Sequence, residues 1–160
     1  MHALRHALAI AGKDLRIELR VREIVPTMTL FACLVAVLAS MALYVDDETG
    51  RKAAPGVLWI AIAFSGTLGL SRTWGRERDE GALRAVLLSP MSPSSLFLGK
   101  AIGAFVFVLI TELVVAPLVA LLLHAPLWDH LGPFALLVVL GTVGFVAAGT
   151  LFGALTAKTR

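Results

Sequence analysis

The sequence is poor in the residues that build redox, metal and catalytic centres. Its single cysteine, Cys33, lies inside an apolar run, which excludes an internal disulfide, a CxxC redox pair and a cysteine zinc site. The sequence contains no GxxxxGK[ST] phosphate-binding loop, and the HExxH and GxSxG motifs are also missing. We therefore expect a non-catalytic chain, and any ATP-derived energy that it uses must come from a partner.

Charge is also scarce, whereas apolar residues are abundant. Charged residues make up 16% of the 160 positions and hydrophobic residues 58%. One small globule cannot bury that much apolar surface, so the lipid bilayer must act as its solvent. The fold class predicted is an all-α, polytopic membrane helix bundle with a single domain over residues 1–160. Four spans are predicted, at residues 24–44, 54–71, 101–123 and 133–155, each long enough or nearly long enough to cross a bilayer.

The N-terminal segment, residues 1–23, is predicted to form an amphipathic interfacial helix. Its leucines recur at intervals of four and seven residues, while Lys13, Arg16 and Arg20 occupy another face. The segment lacks the apolar core and cleavage site of a signal peptide. Basic residues flank the apolar runs instead of forming one stripe, so nucleic-acid binding is not expected.

The distribution of basic residues predicts the orientation of the chain. Of the fourteen Lys and Arg residues, twelve lie before residue 24, in residues 72–100 or at the C-terminal end. The remaining two, Arg51 and Lys52, lie in a predicted polar turn at residues 45–54. By the positive-inside rule, both termini and residues 72–100 face the cytoplasm.

Residues 72–100 form a polar island between the second and third spans. Within it, Leu83, Val86 and Leu87 share one face of a predicted short helix that Pro90 ends. Such a helix between two spans suits docking to a soluble partner; the alternative is a solvated loop whose leucines rest on the membrane surface. The predicted docking residues are Glu77, Glu80, Gly81, Leu83, Val86, Leu87, Ser89 and Pro90.

Small residues predict where helices pack closely. Gly99 and Gly103 form a small-xxx-small pair, and the second span carries Gly66 and Gly69 among hydroxylated residues. Lys100 is expected to snorkel to the cytoplasmic edge of the third span.

Glu112 is an ionisable residue near the middle of the predicted span at residues 101–123. A charged carboxyl there costs about 2.5–3.5 kcal/mol on insertion scales, so it is either protonated or partnered. It is a candidate for a transport-pathway or subunit-contact residue; the alternative is a neutral carboxyl hydrogen-bonded to a neighbouring helix. Pro117, five residues later, frees a backbone carbonyl.

A second turn, at residues 124–132, is predicted on the same outer side of the membrane as residues 45–54. This outer turn holds His124, Trp128 and His130. These residues are candidates for haem ligation or porphyrin stacking. The alternative is that they belong to the belt of amphipathic side chains at the membrane interface. No metal site is predicted.

Three stretches carry a family resemblance. Residues 72–100, with Gly81, Leu83, Pro90 and the Gly99-Lys100 pair, resemble the cytoplasmic loop with which ABC-2-type exporter permeases dock on their ATPase subunit. KDLRIELRVREIVPTMTLF (residues 13–31) and APGVLWIAIAFSGTLGLSR (residues 54–72) are similar to the haem exporter protein B family, CcmB. The resemblance covers essentially the whole chain.

The resemblance implies a permease subunit of the cytochrome c maturation ABC transporter in the bacterial inner membrane. Its partners would be a CcmA-type ATPase, a CcmC-type haem-handling membrane protein and a small CcmD-type subunit. The complex would couple ATP hydrolysis to delivery of haem to the periplasmic haem chaperone. No cofactor is expected to be bound directly, although haem is a possible transported or handed-over ligand. Family members typically carry further spans, so the chain is expected to be a fragment or a shortened variant.

Three alternative functions remain at this point. The chain could be an assembly factor that binds haem or partners without transport, or a permease of another ABC-2 exporter. A small integral-membrane enzyme is the third alternative, and it would need a polar site formed by Glu112, His124 and His130.

Overall fold

The computed structural model describes residues 2–43, 46–79 and 93–158, and these residues are helical apart from short connections. The elements are α1 (His2–Val21), α2 (Ile24–Leu43), α3 (Asp47–Asp79), α4 (Pro93–Leu122), a 3₁₀ turn (Leu127–His130) and α5 (Leu131–Lys158). Four of these helices are long and apolar enough to cross a membrane, over Ile24–Leu43, Asp47–Thr73, Ser94–Leu122 and Leu131–Gly153. The predicted all-helical fold with four candidate spans is confirmed.

Helix α4 is the centre of the bundle, because it packs against α1, α2, α3 and α5. Its buried side chains include Phe107, Val115 and Val119, which join one apolar core with residues from α2 and α3. Helix α5 packs on α3 and α4. Much of the remaining α5 surface is apolar and exposed, as expected of a helix that faces lipid.

Polar contacts identify the two ends of the bundle. At one end, Arg72 Nη1 lies 2.7 Å from Glu23 Oε1, which joins the start of α2 to the last part of α3. At the other end, His124 Nδ1 lies 3.5 Å from Asp47 Oδ1, which joins the end of α4 to the start of α3. The α1–α2 connection and the ends of α3 and α4 nearest residues 80–92 therefore lie at the first end.

Helix α3 is much longer than the predicted span at residues 54–71. Its 33 residues extend about 50 Å, well beyond a hydrocarbon core of about 30 Å. The prediction of a polar turn at residues 45–54 is wrong for most of that range, since the helix begins at Asp47. Charged side chains end the apolar part of a helix without ending the helix itself.

Asp46 explains where α3 begins. Its Oδ1 accepts hydrogen bonds of 2.9 Å from the backbone N–H groups of Glu48 and Thr49, and the Thr49 hydroxyl donates to Oδ2. This is an N-cap, reinforced by the acidic residues Asp47 and Glu48 in the first turn. The Thr49 backbone and hydroxyl hydrogen bonds hold the pKa of Asp46 below its ordinary value. The cap is therefore lost only as the pH falls through that lowered pKa.

Glycines allow close contacts between the spans, as predicted. Gly66 and Gly69 of α3 lie directly under Phe145 and Met28, so a Cβ at either position would collide with these side chains. Gly141 of α5 lies under the indole ring of Trp59. The hydroxylated residue Thr67 of this span does not join two helices. Its side chain is exposed and donates a hydrogen bond to the Ala63 carbonyl of its own helix.

Candidate functional site

The predicted docking segment lies between the ends of α3 and α4. Helix α3 continues to Asp79 and α4 begins at Pro93, so the connection is shorter at both ends than the predicted loop of residues 72–100. Glu77 lies in the last part of α3, and its side chain is not described. The other docking candidates lie outside the described residues: Glu80, Gly81, Leu83, Val86, Leu87, Ser89 and Pro90. Their docking role stays a prediction.

Helix α1 packs along the first turns of α4. A Cβ on Gly99 would lie 2.7 Å from Ile10 Cβ and 2.8 Å from the Ala7 carbonyl oxygen. One turn further on, a Cβ on Gly103 would lie at an ordinary 3.8 Å from Asp14. The predicted packing face of Gly99 and Gly103 is therefore confirmed, and its partner is α1. The predicted interfacial position of α1 stays a prediction.

An ion pair holds α1 and α4 together. Lys100 Nζ lies 2.8 Å from Asp14 Oδ2, and Lys100 is only 2% exposed. The expectation that Lys100 snorkels to the membrane edge is wrong, because a carboxylate on the neighbouring helix provides a partner inside the bundle. Lys13 Nζ lies 3.5 Å from Asp14 Oδ1 and is half exposed. The pair was not predicted, because its members are 86 residues apart.

A second carboxylate on α1 organises the corner between α1 and α2. Glu18 Oε1 accepts a 2.8 Å hydrogen bond from the backbone N–H of Val25, in the first turn of α2. Arg22 adopts a left-handed backbone conformation (φ 53°) in the short connection where the chain changes direction between the two helices. Asp14 and Glu18 therefore connect α1 to α4 and α2, and α1 is a fixed part of the bundle.

Glu112 is buried between α4 and α5. It is 3% exposed, and 2.5 Å separates its Oε1 from Thr142 Oγ1. Thr142 Oγ1 also lies 2.8 Å from the Val138 carbonyl oxygen. Thr142 has one hydroxyl proton for two acceptors, so both contacts are fully satisfied when Glu112 is protonated and donates to Thr142, which then donates to Val138. A neutral carboxyl is the form that suits this buried position.

The neighbourhood of Glu112 is a small polar layer inside the spans. Thr111 Oγ1 lies 3.4 Å from Thr29 Oγ1 on α2, and Thr111 also donates to the Phe107 carbonyl. Helix α4 continues through Pro117 to Leu122, so that proline does not end the helix. The layer joins α2, α4 and α5 through hydroxyl and carboxyl groups.

Replacing Glu112 with glutamine is expected to change thermal stability little, by less than about 1 kcal/mol, because the amide N–H can donate to Thr142 as the protonated carboxyl does. Thr142→Val is the matched comparison; it removes the partner and is expected to cost about 1–3 kcal/mol. Thermal unfolding of both variants in detergent micelles measures the difference. A Glu112→Gln variant as unstable as Thr142→Val would contradict the assignment of a neutral carboxyl.

The outer-turn candidates lie at the opposite end of the bundle from Lys100. His124 has a left-handed backbone conformation (φ 51°) and faces Asp47 of α3, while His130 is exposed at the end of the 3₁₀ turn. Trp128 lies in that turn, but its side chain is not described. Within the described ranges, no three His, Cys, Asp or Glu side chains are grouped to hold a metal ion. Haem ligation by these residues stays a prediction.

Comparison with known proteins adds to this geometry. The family profile described as CcmB protein matches residues 5–160. The chain belongs to the CcmB family. It is 26% identical over 152 residues to a protein named heme exporter protein B from Rhodobacter capsulatus, covering 92% of this chain and 67% of that protein. The resemblance found in the sequence is therefore confirmed over almost the whole chain.

Two further family members show the same distant similarity. Heme exporter protein B of Haemophilus influenzae is 25% identical over 155 residues, covering 96% of this chain and 69% of that protein. Heme exporter protein B of Paracoccus denitrificans is 25% identical over 118 residues, covering 74% of this chain and 54% of that protein. No solved structure matches the chain significantly. The CcmB chain thus spans about two thirds or less of each relative.

Proposed function

We propose that this CcmB-family chain is the membrane permease subunit of an ABC transporter that exports haem, or drives its delivery to a periplasmic chaperone, during cytochrome c maturation. The observation that carries the proposal is the family match over residues 5–160. The relatives' name, heme exporter protein B, supports haem as the species handled. ATP hydrolysis would be carried out by a separate CcmA-type subunit, and CcmC-type and CcmD-type proteins would complete the complex.

The geometry supports residues 80–92 as the place where the ATPase acts. Both helices that flank this segment are candidate membrane spans, and α4 contacts every other long helix of the bundle. A displacement of the segment would therefore reach α3 and α4 directly, and α1 through the Asp14–Lys100 pair. The positive-inside distribution supports a cytoplasmic position for the segment and for both ends of this chain, in the bacterial inner membrane. Further spans beyond those of this chain are part of the proposal.

The docking role is tested by replacing residues of the apolar ridge, the face of the predicted short helix that Leu83, Val86 and Leu87 share. A double variant Leu83→Asp and Leu87→Asp is expected to lose co-purification with the ATPase subunit from membranes, because two charges replace the apolar contact that would bury against that subunit. Ala85→Asp is the matched control, since Ala85 lies on the opposite face of the predicted helix and should keep the ATPase bound.

Membrane levels of the variants must be equal for this comparison. Retention of the ATPase by the double variant would contradict docking through the ridge and would favour an assembly factor that recruits its partners elsewhere. Loss of the ATPase in the Ala85→Asp variant as well would show that the segment tolerates no added charge, which contradicts a one-sided docking helix.

A further inference from the structure

A half-open cavity of about 280 Å³ lies at the outer-turn end of the bundle. Its walls come from α3, α4, α5 and the connection that follows α4, and they include Leu58, Trp59, Val119, Leu127 and Phe134. The indole of Trp59 forms one wall because Gly141 leaves room for it on α5. The Asp14–Lys100 pair and the Glu112 and Thr142 side chains do not line this cavity; Val138, whose carbonyl accepts from Thr142, does.

Among the described residues, the cavity combines apolar walls with one charged residue. Its lining consists of Ala, Pro, Leu, Val, Trp and Phe residues together with Arg51. Arg51 is exposed, and its Nε donates a 3.3 Å hydrogen bond to the Asp47 carbonyl of its own helix. Among the described residues, no carboxylate pairs with Arg51, whereas the adjacent Lys52 is paired with Glu48 at 2.6 Å. A cation without a carboxylate partner thus stands at the edge of an apolar cavity.

The size and position of the cavity restrict its occupant. Its volume is roughly twice that of an engineered apolar cavity of about 150 Å³ that binds benzene, so it has room for a length of hydrocarbon chain. Arg51 lies one turn into the candidate span Asp47–Thr73 and Phe134 lies in the first turn of α5, so the cavity is at the level where spans meet headgroups. A guanidinium at that level is suited to a lipid phosphate.

We propose that this cavity binds one acyl chain of an anionic phospholipid from the surrounding leaflet, with Arg51 holding the headgroup phosphate. Lipid is the occupant best supported, because the apolar walls match an acyl chain and the Arg51 guanidinium, which has no carboxylate partner among the described residues, matches an anionic headgroup. The proposal is independent of the transport function, since it depends only on this cavity and its one cation.

The test uses the full chain with Trp59 as its sole tryptophan (Trp74→Phe and Trp128→Phe), reconstituted into phosphatidylcholine vesicles and checked for unchanged thermal unfolding. Phospholipids with brominated acyl chains quench the fluorescence of a tryptophan that they contact. Brominated phosphatidylglycerol is expected to quench Trp59 at about five-fold lower mole fraction than brominated phosphatidylcholine, the preference that one surface cation confers.

Three variants make the result specific. Arg51→Gln should remove the preference for phosphatidylglycerol, whereas Lys52→Gln, which removes the same charge one residue away, should retain it. Ala120→Leu, which fills part of the cavity, should weaken quenching by both lipids. Equal quenching by the two lipids in the parent protein would overturn the proposal, as would equal losses in Arg51→Gln and Lys52→Gln. Saturable quenching by added haem without any lipid preference would assign the cavity to a different ligand and would also overturn it.

Discussion

Replacing Lys100 with methionine is expected to lower the stability of the bundle by about 3–5 kcal/mol, because it leaves the Asp14 carboxylate buried without its partner. At about 2–4 °C per kcal/mol for a domain of this size, the unfolding temperature in detergent should fall by at least about 6 °C. Lys13 approaches the other carboxylate oxygen at 3.5 Å and compensates in part, which favours the lower end of the range. Thermal unfolding of the purified variant measures the effect.

Lys13→Met is the control for that measurement. It also removes a positive charge that lies beside the Asp14 carboxylate. Because Lys13 is half exposed, the expected loss of stability is at most about 1 kcal/mol. The double variant Asp14→Leu and Lys100→Met should recover most of the stability, because replacing both members of a buried pair with apolar residues is often neutral. Equal unfolding temperatures for Lys100→Met and Lys13→Met would contradict the buried pair.

Substituting Gly99 with alanine is expected to separate α1 from α4. The new Cβ would meet Ile10 Cβ at 2.7 Å and the Ala7 carbonyl oxygen at 2.8 Å, and neither atom is at the end of a flexible side chain. Overpacking of this kind costs about 1–3 kcal/mol. Helix propensity opposes this loss, since alanine is favoured over glycine by about 1 kcal/mol in a helix interior.

Gly103→Ala separates the two effects. It makes the same substitution one turn along α4, gains the same propensity and places its Cβ 3.8 Å from Asp14, an ordinary contact. The variant should therefore be as stable as the parent or more so, and the difference between the two alanine variants should be about 1–3 kcal/mol. Similar stabilities of the two variants would show that α1 does not pack on Gly99.

The sequence was sufficient to predict the spans, because hydropathy is a local property. The first predicted span at residues 24–44 agrees closely with α2 (Ile24–Leu43). Glycine spacing correctly predicted the close packing at Gly99, although it did not identify α1 as the partner. Helix α3 was less predictable, because the N-cap at Asp46 lies in a charged stretch that resembles a turn.

Tertiary pairing could not be read from the sequence. Lys100 and Asp14 are 86 residues apart, and Glu112 and Thr142 are 30 residues apart. An ionisable residue within or beside an apolar run indicates that a partner is needed, but it does not identify the helix that provides this partner. For Glu112 the sequence left a pathway residue and a hydrogen-bonded neutral carboxyl open, and the contact with Thr142 supports the second. The sequence did not indicate that Asp14 and Glu18 lie on the buried face of α1, because its leucines and basic residues alone are typical of a helix on the membrane surface.

The most direct test of the account is the side of the membrane on which residues 80–92 lie. In a Cys33→Ser background, Ser92→Cys marks this segment and Glu48→Cys marks the start of α3 at the other end of the bundle. A membrane-impermeant maleimide added from the periplasmic side should label Glu48→Cys and leave Ser92→Cys unlabelled until the membrane is opened. Labelling of Ser92→Cys in intact cells, with Glu48→Cys protected, would contradict the account, because a cytoplasmic ATPase could not reach its docking segment.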